Sequence, residues 1–419
     1  MTAYLKPNRP LKSHKIINDP VYGFINIPSE LIFAIIDHPY FQRLRRIKQL
    51  GLTDYVYPGA LHTRFHHAIG AMHLMSVTLD HLRNKGIEID DREYESALIA
   101  ILLHDIGHGP FSHALEFSLL NNISHESISK LFIIELNKQF GGQLDLALRI
   151  YSGIYERKFF HQLVSSQLDI DRLDYLQRDC FFTGVSEGTI GADRIIKMMH
   201  VKDDQVVIEE KGIYSIENFL SARRLMYWQV YLHKTTVSAE KMLINLILRA
   251  KNLQKSGAEL PGTESLLYFL SHNISLTDFE TCPEVLQHFA ELDDFDIWGG
   301  LKLWKKKDDY VLRNIADMFL TRNLFKISLS NVPFGEMEML DMGEKIRQRL
   351  EIPEEDLPYF FSCGIISNHA YAAQKSIFVL TKKGEVIDVA QAADLPNIKA
   401  MSKIVKKHYA CRAKNLTLR

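Results

Sequence analysis

At 419 residues, with 46% hydrophobic and 24% charged side chains, the chain is long enough for a large core and two lobes, and nothing in its composition marks disorder or low complexity. Its 50 Lys and Arg stand against 51 Asp and Glu, a net charge of −1, which excludes a globally basic nucleic-acid binder and leaves only local basic clusters. There is no apolar signal core and no run long enough to cross a bilayer, and the four cysteines form no CxxC pair, so a reduced, cytoplasmic protein without a membrane partner is expected.

Residues 14–28 alternate β-branched residues with turn formers and read as an extended segment or a short hairpin. Pro28 and Ser29 then open a helix with apolar positions at Leu31, Ile32, Ile35 and Ile36. Pro39 interrupts it. Residues 41–50 restart as a helix with a dense basic face, either solvated or anion-binding. His62, Thr63, Arg64, Phe65, His66 and His67 open the next helix, to about Leu82, with Arg64 and His67 on one face.

Residues 94–103 are apolar on most sides and predict a central, buried helix. It delivers His104 and Asp105, followed by Gly107, His108, Gly109, Pro110 and His113. Burying such groups costs free energy unless a hydrogen bond, a charge or a metal offsets it. This is either a hydrogen-bonded helix end or a ligand pair whose glycines let His108 and His113 face the same cavity. Pro110 suits the first position of a further helix carrying His113 and Glu116, and Ser124 caps another that starts with His125 and Glu126.

A helix is expected over 159–178, where Asp171, Tyr175 and Asp179 share a side at i, i+4, i+8. Residues 206–213 read as a hairpin around Glu210, Lys211 and Gly212, and a long helix over 215–253 presents Arg223, Tyr227 and Tyr231 as a basic, aromatic face or a core stripe. Further on, Trp298 and Trp304 pack a second lobe, residues 322–326 form a basic cluster, and residues 376–389 give the clearest strand-turn-strand pattern. The expected divisions are 1–50, an N-terminal extended segment and basic helix; 51–255, a helical core; and 256–419, an α+β lobe.

Taken together, His67, His104, Asp105 and Asp171 form a mixed nitrogen and oxygen set that suits one divalent ion, with Fe, Mn, Zn, Ni and Mg all admissible. Open positions on such an ion hold a water and a phosphate oxygen.

This H…HD…D order resembles the HD-domain phosphohydrolase superfamily. The wording is closest to its deoxynucleoside triphosphate triphosphohydrolases: Asn18-Asp19-Pro20, residues 41–45, 48–51 and 58–60, His62-x-Arg64-Phe65-x-His67, residues 104–113, Asp171 with Asp174-Tyr175, residues 178–180 and 322–326. The resemblance implies a mainly α fold, with a helical HD core and a C-terminal helical lobe carrying a small hairpin or sheet. It implies that His67, His104, Asp105 and Asp171 hold the metal, and that Arg64, His108, Arg172 and Arg223 bind the triphosphate. His113 and His125 would stand at the α-phosphate, with Glu116 or Glu126 orienting the acid. Family members often carry Asp where Glu116 stands. Gln49 and Asp179 would hold the 3′ hydroxyl, Tyr175 and Leu50 would exclude a ribose, and Tyr227 and Tyr231 would flank the base. A guanine nucleotide activator would sit on Lys15, Asp37, Gln42, Arg45 and Arg322 in a homo-oligomer, a tetramer or dimer.

The rival readings are another HD phosphohydrolase, such as a nucleotidase, a cyclic-nucleotide phosphodiesterase or a ppGpp hydrolase, and a nucleotide sensor or weak single-stranded nucleic acid binder with little turnover.

Overall fold

The computed structural model describes residues 15–111, 113–116, 118–120, 123–368, 376–392 and 405–414. The chain is helical over most of that length, with three small sheets. Strands Lys15–Asp19 and Gly23–Ile27 pair as an antiparallel hairpin. The basic stretch after Pro39 departs from the expected helix. Pro39 opens a four-residue turn, and Arg43–Arg46 is a 3-10 segment. Arg43 is wholly buried, donating to the Leu292 and Ile106 carbonyls at 3.0 and 2.8 Å, so it belongs to no solvated face.

The centre of the molecule is the helix Asp91–Leu103, begun by a reciprocal cap between Asp90 and Glu93 and buried from Ser96 onward. The helix Arg64–Asn84 packs along it, and Ile170–Thr183 packs against Arg64–Asn84 in turn. The expected helix over 159–178 is two helices, Lys158–Val164 and Ile170–Thr183. Asp169 separates them, accepting from the Ser166 and Arg172 amides at 2.7 and 2.8 Å. A good N-cap here outweighs continued periodicity.

The expected long helix over 215–253 is likewise interrupted. Ile213–Met226 ends in a π turn at Tyr227–Tyr231, and Lys234–Lys255 starts afresh from His233, whose Nδ1 accepts from the Thr235 amide. The hairpin expected at 206–213 lies earlier, as Met199–Lys202 against Gln205–Glu209. It turns at Asp203 and Asp204, both at positive φ, while Glu210–Gly212 is a 3-10 turn. Pro110 does not begin a helix; the short one there is His113–Glu116.

The strand-turn-strand segment forms as Phe378–Leu380 and Val386–Asp388, but it does not stand alone. Phe378–Leu380 pairs in parallel with Gln205–Glu209, so the end of the chain completes a sheet begun in its middle. A third sheet orders Lys326–Ser330, Val405–Arg412 and Phe361–Asn368, all antiparallel. Trp304 is fully buried in the C-terminal helices, its indole donating to the Pro261 carbonyl.

Candidate metal centre and cavity

Four donors meet where the central helices converge. His67 comes from the first turn of Arg64–Asn84, His104 caps the end of Asp91–Leu103, Asp105 follows it, and Asp171 sits in the first turn of Ile170–Thr183. His67 Nε2 lies 3.3 Å from His104 Nε2 and 3.1 Å from Asp171 Oδ1, and His104 Nε2 lies 3.4 Å from Asp105 Oδ1 and from Asp171 Oδ1.

The far side of each ring is already engaged: His67 Nδ1 faces Asp174 Oδ2 at 2.7 Å and His104 Nδ1 faces the Ile101 carbonyl at 2.6 Å. Both partners accept, so each Nδ1 carries the proton and both Nε2 lone pairs point at the same spot. Two such lone pairs beside two carboxylates demand a cation between them. The field at the site favours positive charge: burial disfavours charge on His67, yet Asp171 and Asp174 overcome it and lift the ring to about 10, so a proton on Nε2 competes with an ion for the same place. Asp171 is held well below the usual carboxylate range, against its burial, by His104 and His67. The donor set therefore fits a divalent ion.

A support chain extends from this cluster. Against burial, the Arg178 charge and the His67 hydrogen bond hold Asp174 at about 2. Arg178 donates to Asp174 at 2.9 and 3.0 Å and to Asp19 at 2.7 Å, tying the N-terminal hairpin to the ligands. Asp19, Asp174 and Arg178 belong to the motifs that carry the family resemblance, and their hydrogen bonds give them this supporting role, which residue spacing alone does not assign.

A cavity of about 320 Å³ opens beside the cluster. Arg64, His108, His125 and Arg172 line it together with Asp105 and Asp171. The Arg64 guanidinium bonds Asp105, and Arg172 bonds Asp169. The His108 and His125 rings stack at 3.7 Å and 17°. Gly107 makes that stack possible, since a Cβ there would meet the Ser129 amide at 2.2 Å and the His125 carbonyl at 2.4 Å. Burial and the Arg64 charge push His108 well below the usual imidazole range.

Glu116 accepts from the His125 amide at 3.0 Å and lies 3.4 Å from His125 Nδ1. Glu126 faces solvent, so the carboxylate beside His125 is Glu116. The His113 side chain lies outside the described residues.

Farther along, Gln49, Leu50, Tyr175, Asp179, Tyr227 and Tyr231 line the same cavity. Tyr231 donates to Asp179 at 2.7 Å, and the ring of His62 lies 2.8 Å from the other Asp179 oxygen. Tyr227 and Tyr231 meet edge to face at 5.2 Å. Arg223 stands apart from the lining: it is buried and donates to Gln167 at 3.0 Å. Glu240 also lines the cavity, a residue that an apolar helix pattern did not flag.

Of the five residues assigned to an activator, Lys15 stands over the Phe33 ring, Asp37 is exposed, and Gln42 accepts from Arg45 at 2.8 Å. Arg45 lies 3.5 Å over the Phe65 ring. Arg322 donates to the Tyr55 carbonyl, and among the described residues no hydrogen bond, ion pair or ring contact joins it to the other four.

The HD domain model matches residues 64–179 and the HD associated region model residues 190–259. A solved phosphohydrolase from Bacteroides thetaiotaomicron superposes with a TM-score of 0.92 at 51% identity, covering 96% of this chain and all of that one. The uncharacterised protein YwfO of Bacillus subtilis is 37% identical over 76% of this chain and 73% of its own length. The deoxynucleoside triphosphate triphosphohydrolase SAMHD1 homolog of Dictyostelium discoideum is 34% identical over 61% of this chain and 53% of its own length.

Proposed function

The chain belongs to the HD-domain phosphohydrolases, a family of metal-dependent hydrolases, and from that membership we propose that its cavity hydrolyses deoxynucleoside triphosphates to deoxynucleoside and inorganic triphosphate. One observation carries the reading: the fixed cations Arg64 and Arg172 and the metal-type carboxylates Asp105 and Asp171 line one cavity with the polar groups a deoxyribose needs.

His67, His104, Asp105 and Asp171 would hold the ion. When bound, such an ion lowers the pKa of a water and polarises a phosphoryl oxygen. Arg64, His108 and Arg172 bind the phosphate chain, Arg64 and Arg172 with forked donors already oriented by Asp105 and Asp169. Arg223, behind the lining, joins them only if its Gln167 bond is exchanged.

Water adds to the α-phosphorus, and the bond from that phosphorus to the 5′ oxygen breaks. The 5′ oxygen takes its proton from His125 or His113, with Glu116 holding the His125 end of the helix in place. Triphosphate leaves carrying the new oxygen. Gln49 Oε1 is buried without a partner among the described residues and accepts from the 3′ hydroxyl beside Asp179. Tyr175, packed against Tyr231, fills the space a 2′ hydroxyl needs.

The test is incubation with each dNTP and Mn²⁺ or Mg²⁺, resolving triphosphate from pyrophosphate and phosphate. Intact triphosphate from the parent, and a loss of at least 10³-fold in Asp171→Ala, are expected. Pyrophosphate or monophosphate as the product moves the chain to a different branch of the family.

The same reading includes a homo-oligomer activated by a guanine nucleotide at Lys15, Asp37, Gln42, Arg45 and Arg322. Arg45→Ala should then abolish stimulation by GTP or dGTP while leaving the metal content unchanged. Hyperbolic, unstimulated kinetics in the parent would sink the activation proposal.

A further inference from the structure

His62 is buried and stands behind the cavity wall rather than in it, yet both Gln49 and Asp179, which line the cavity, are attached to it. Its Nε2 lies 2.8 Å from Asp179 Oδ1, and because a carboxylate accepts, that nitrogen carries the proton and donates. Its carbonyl accepts from the Gln49 amide at 3.0 Å. The second bond belongs to a short antiparallel pairing, Lys48 against Thr63, in which the Arg64 amide donates to the Ile47 carbonyl at 2.9 Å. One buried residue thus joins two pieces of cavity wall that come from distant segments of the chain.

The ring itself is fixed by packing. It stacks on Phe182 at 4.5 Å and 19°, and Phe182 follows Asp179 by three residues on the helix Ile170–Thr183, so one helix face supplies both the stacking surface and the acceptor. His62 Nδ1 is buried and has no hydrogen-bond partner among the described residues, which leaves the bond to Asp179 as the polar link of the ring. Tyr231 donates to the other Asp179 oxygen at 2.7 Å. With a donor on each oxygen the carboxylate is held against rotation, and its remaining lone pairs keep one direction.

The next step rests on the proposed function, in which Gln49 and Asp179 hold the 3′ hydroxyl. We propose that His62 is a positioning residue that fixes both contacts at once and makes the site demand a 3′ hydroxyl on the sugar.

The experiment compares kcat/KM for dTTP and its 2′,3′-dideoxy analogue, with triphosphate release as the readout. It uses the parent, His62→Phe, which keeps a ring against Phe182 but donates nothing, and His62→Gln, which can still donate. The parent should favour dTTP by about tenfold or more, the worth of a hydrogen bond to a carboxylate. In His62→Phe that ratio should fall by about tenfold, through loss of activity on dTTP, while the dideoxy analogue and the metal content stay within about twofold of the parent. His62→Gln should recover most of the ratio.

Parent values for the two substrates within about twofold of each other would overturn the assignment, as would equal losses on both in His62→Phe, which a merely structural role produces. The parent comparison needs no variant, so a misfolded substitution does not remove the test. Failure of the two ideas is distinguishable: triphosphate released from dTTP with the parent's ratio kept in His62→Phe removes only the role of His62, whereas no triphosphate from any dNTP removes the hydrolase reading beneath it.

Discussion

The carboxylate of Asp174 is shared between the His67 ring and the Arg178 guanidinium, so it sets which nitrogen of His67 carries the proton. Replacing it tests whether that matters. Asp174→Asn should lower metal affinity by about 10–100-fold, read by competition with a chelator. It should also destabilise the fold by about 3–5 kcal/mol, because Arg178 then keeps only Asp19 in a buried site. Unchanged metal affinity would mean that the tautomer of His67 is fixed by other means. At this scale the sequence was informative about residue types and silent about pairing. Spacing alone brought Asp171, Tyr175 and Asp179 to one helix face, and all three line the cavity. The bonds of Asp19 to Arg178 and of His62 to Asp179 join positions more than a hundred residues apart, and no local periodicity encodes them.

At the scale of elements, the loop between the central helix and His113 works by close approach. Gly107 lies against the backbone of the helix His125–Gln139, where its amide donates to Ser129 Oγ at 2.9 Å. Gly107→Ala should cost roughly 1–3 kcal/mol by overpacking and should reduce turnover more than the loss of stability explains, because it parts His108 from His125. A melting curve alongside kinetics at a temperature where both proteins are folded separates the two effects. The helix boundaries show where pattern reading stops. Apolar periodicity continues through Asp169 and through the π turn at Tyr227–Tyr231, while the backbone breaks at both for reasons of hydrogen bonding: a carboxylate cap in one case and an i to i+5 bond, Leu232 amide to Tyr227 carbonyl, in the other.

At the scale of the molecule, the C-terminal helices hold the N-terminal segment and the loop after the central helix together. Leu292, Asp293 and Asp294 accept from Arg43, Arg46 and the Lys48 amide, and Asp294 also accepts from the Phe111 amide at 2.8 Å. Gln42 and Arg45, two of the proposed activator contacts, lie on this clamped stretch. Burial pushes Asp294 up to about 6 from an ordinary value near 3.8. The folded state therefore holds that proton more tightly than the unfolded chain does. Its stabilising effect is complete below pH 4, is lost as pH rises towards 6, and stays lost above that, a span of roughly 3 kcal/mol. Asp294→Asn should flatten that part of the stability curve between pH 4 and 6, measured by denaturant titration. An identical slope in the variant would place the titration on another group.

The parallel pairing of Phe378–Leu380 with Gln205–Glu209 bears on how the protein can be divided. A fragment ending at Lys255 would retain every metal donor, yet it would leave the Gln205–Glu209 edge open, with a row of amides and carbonyls ready to template strands from other molecules. Proteolytic loss of the C-terminal lobe is then a route to aggregation rather than to a smaller active enzyme.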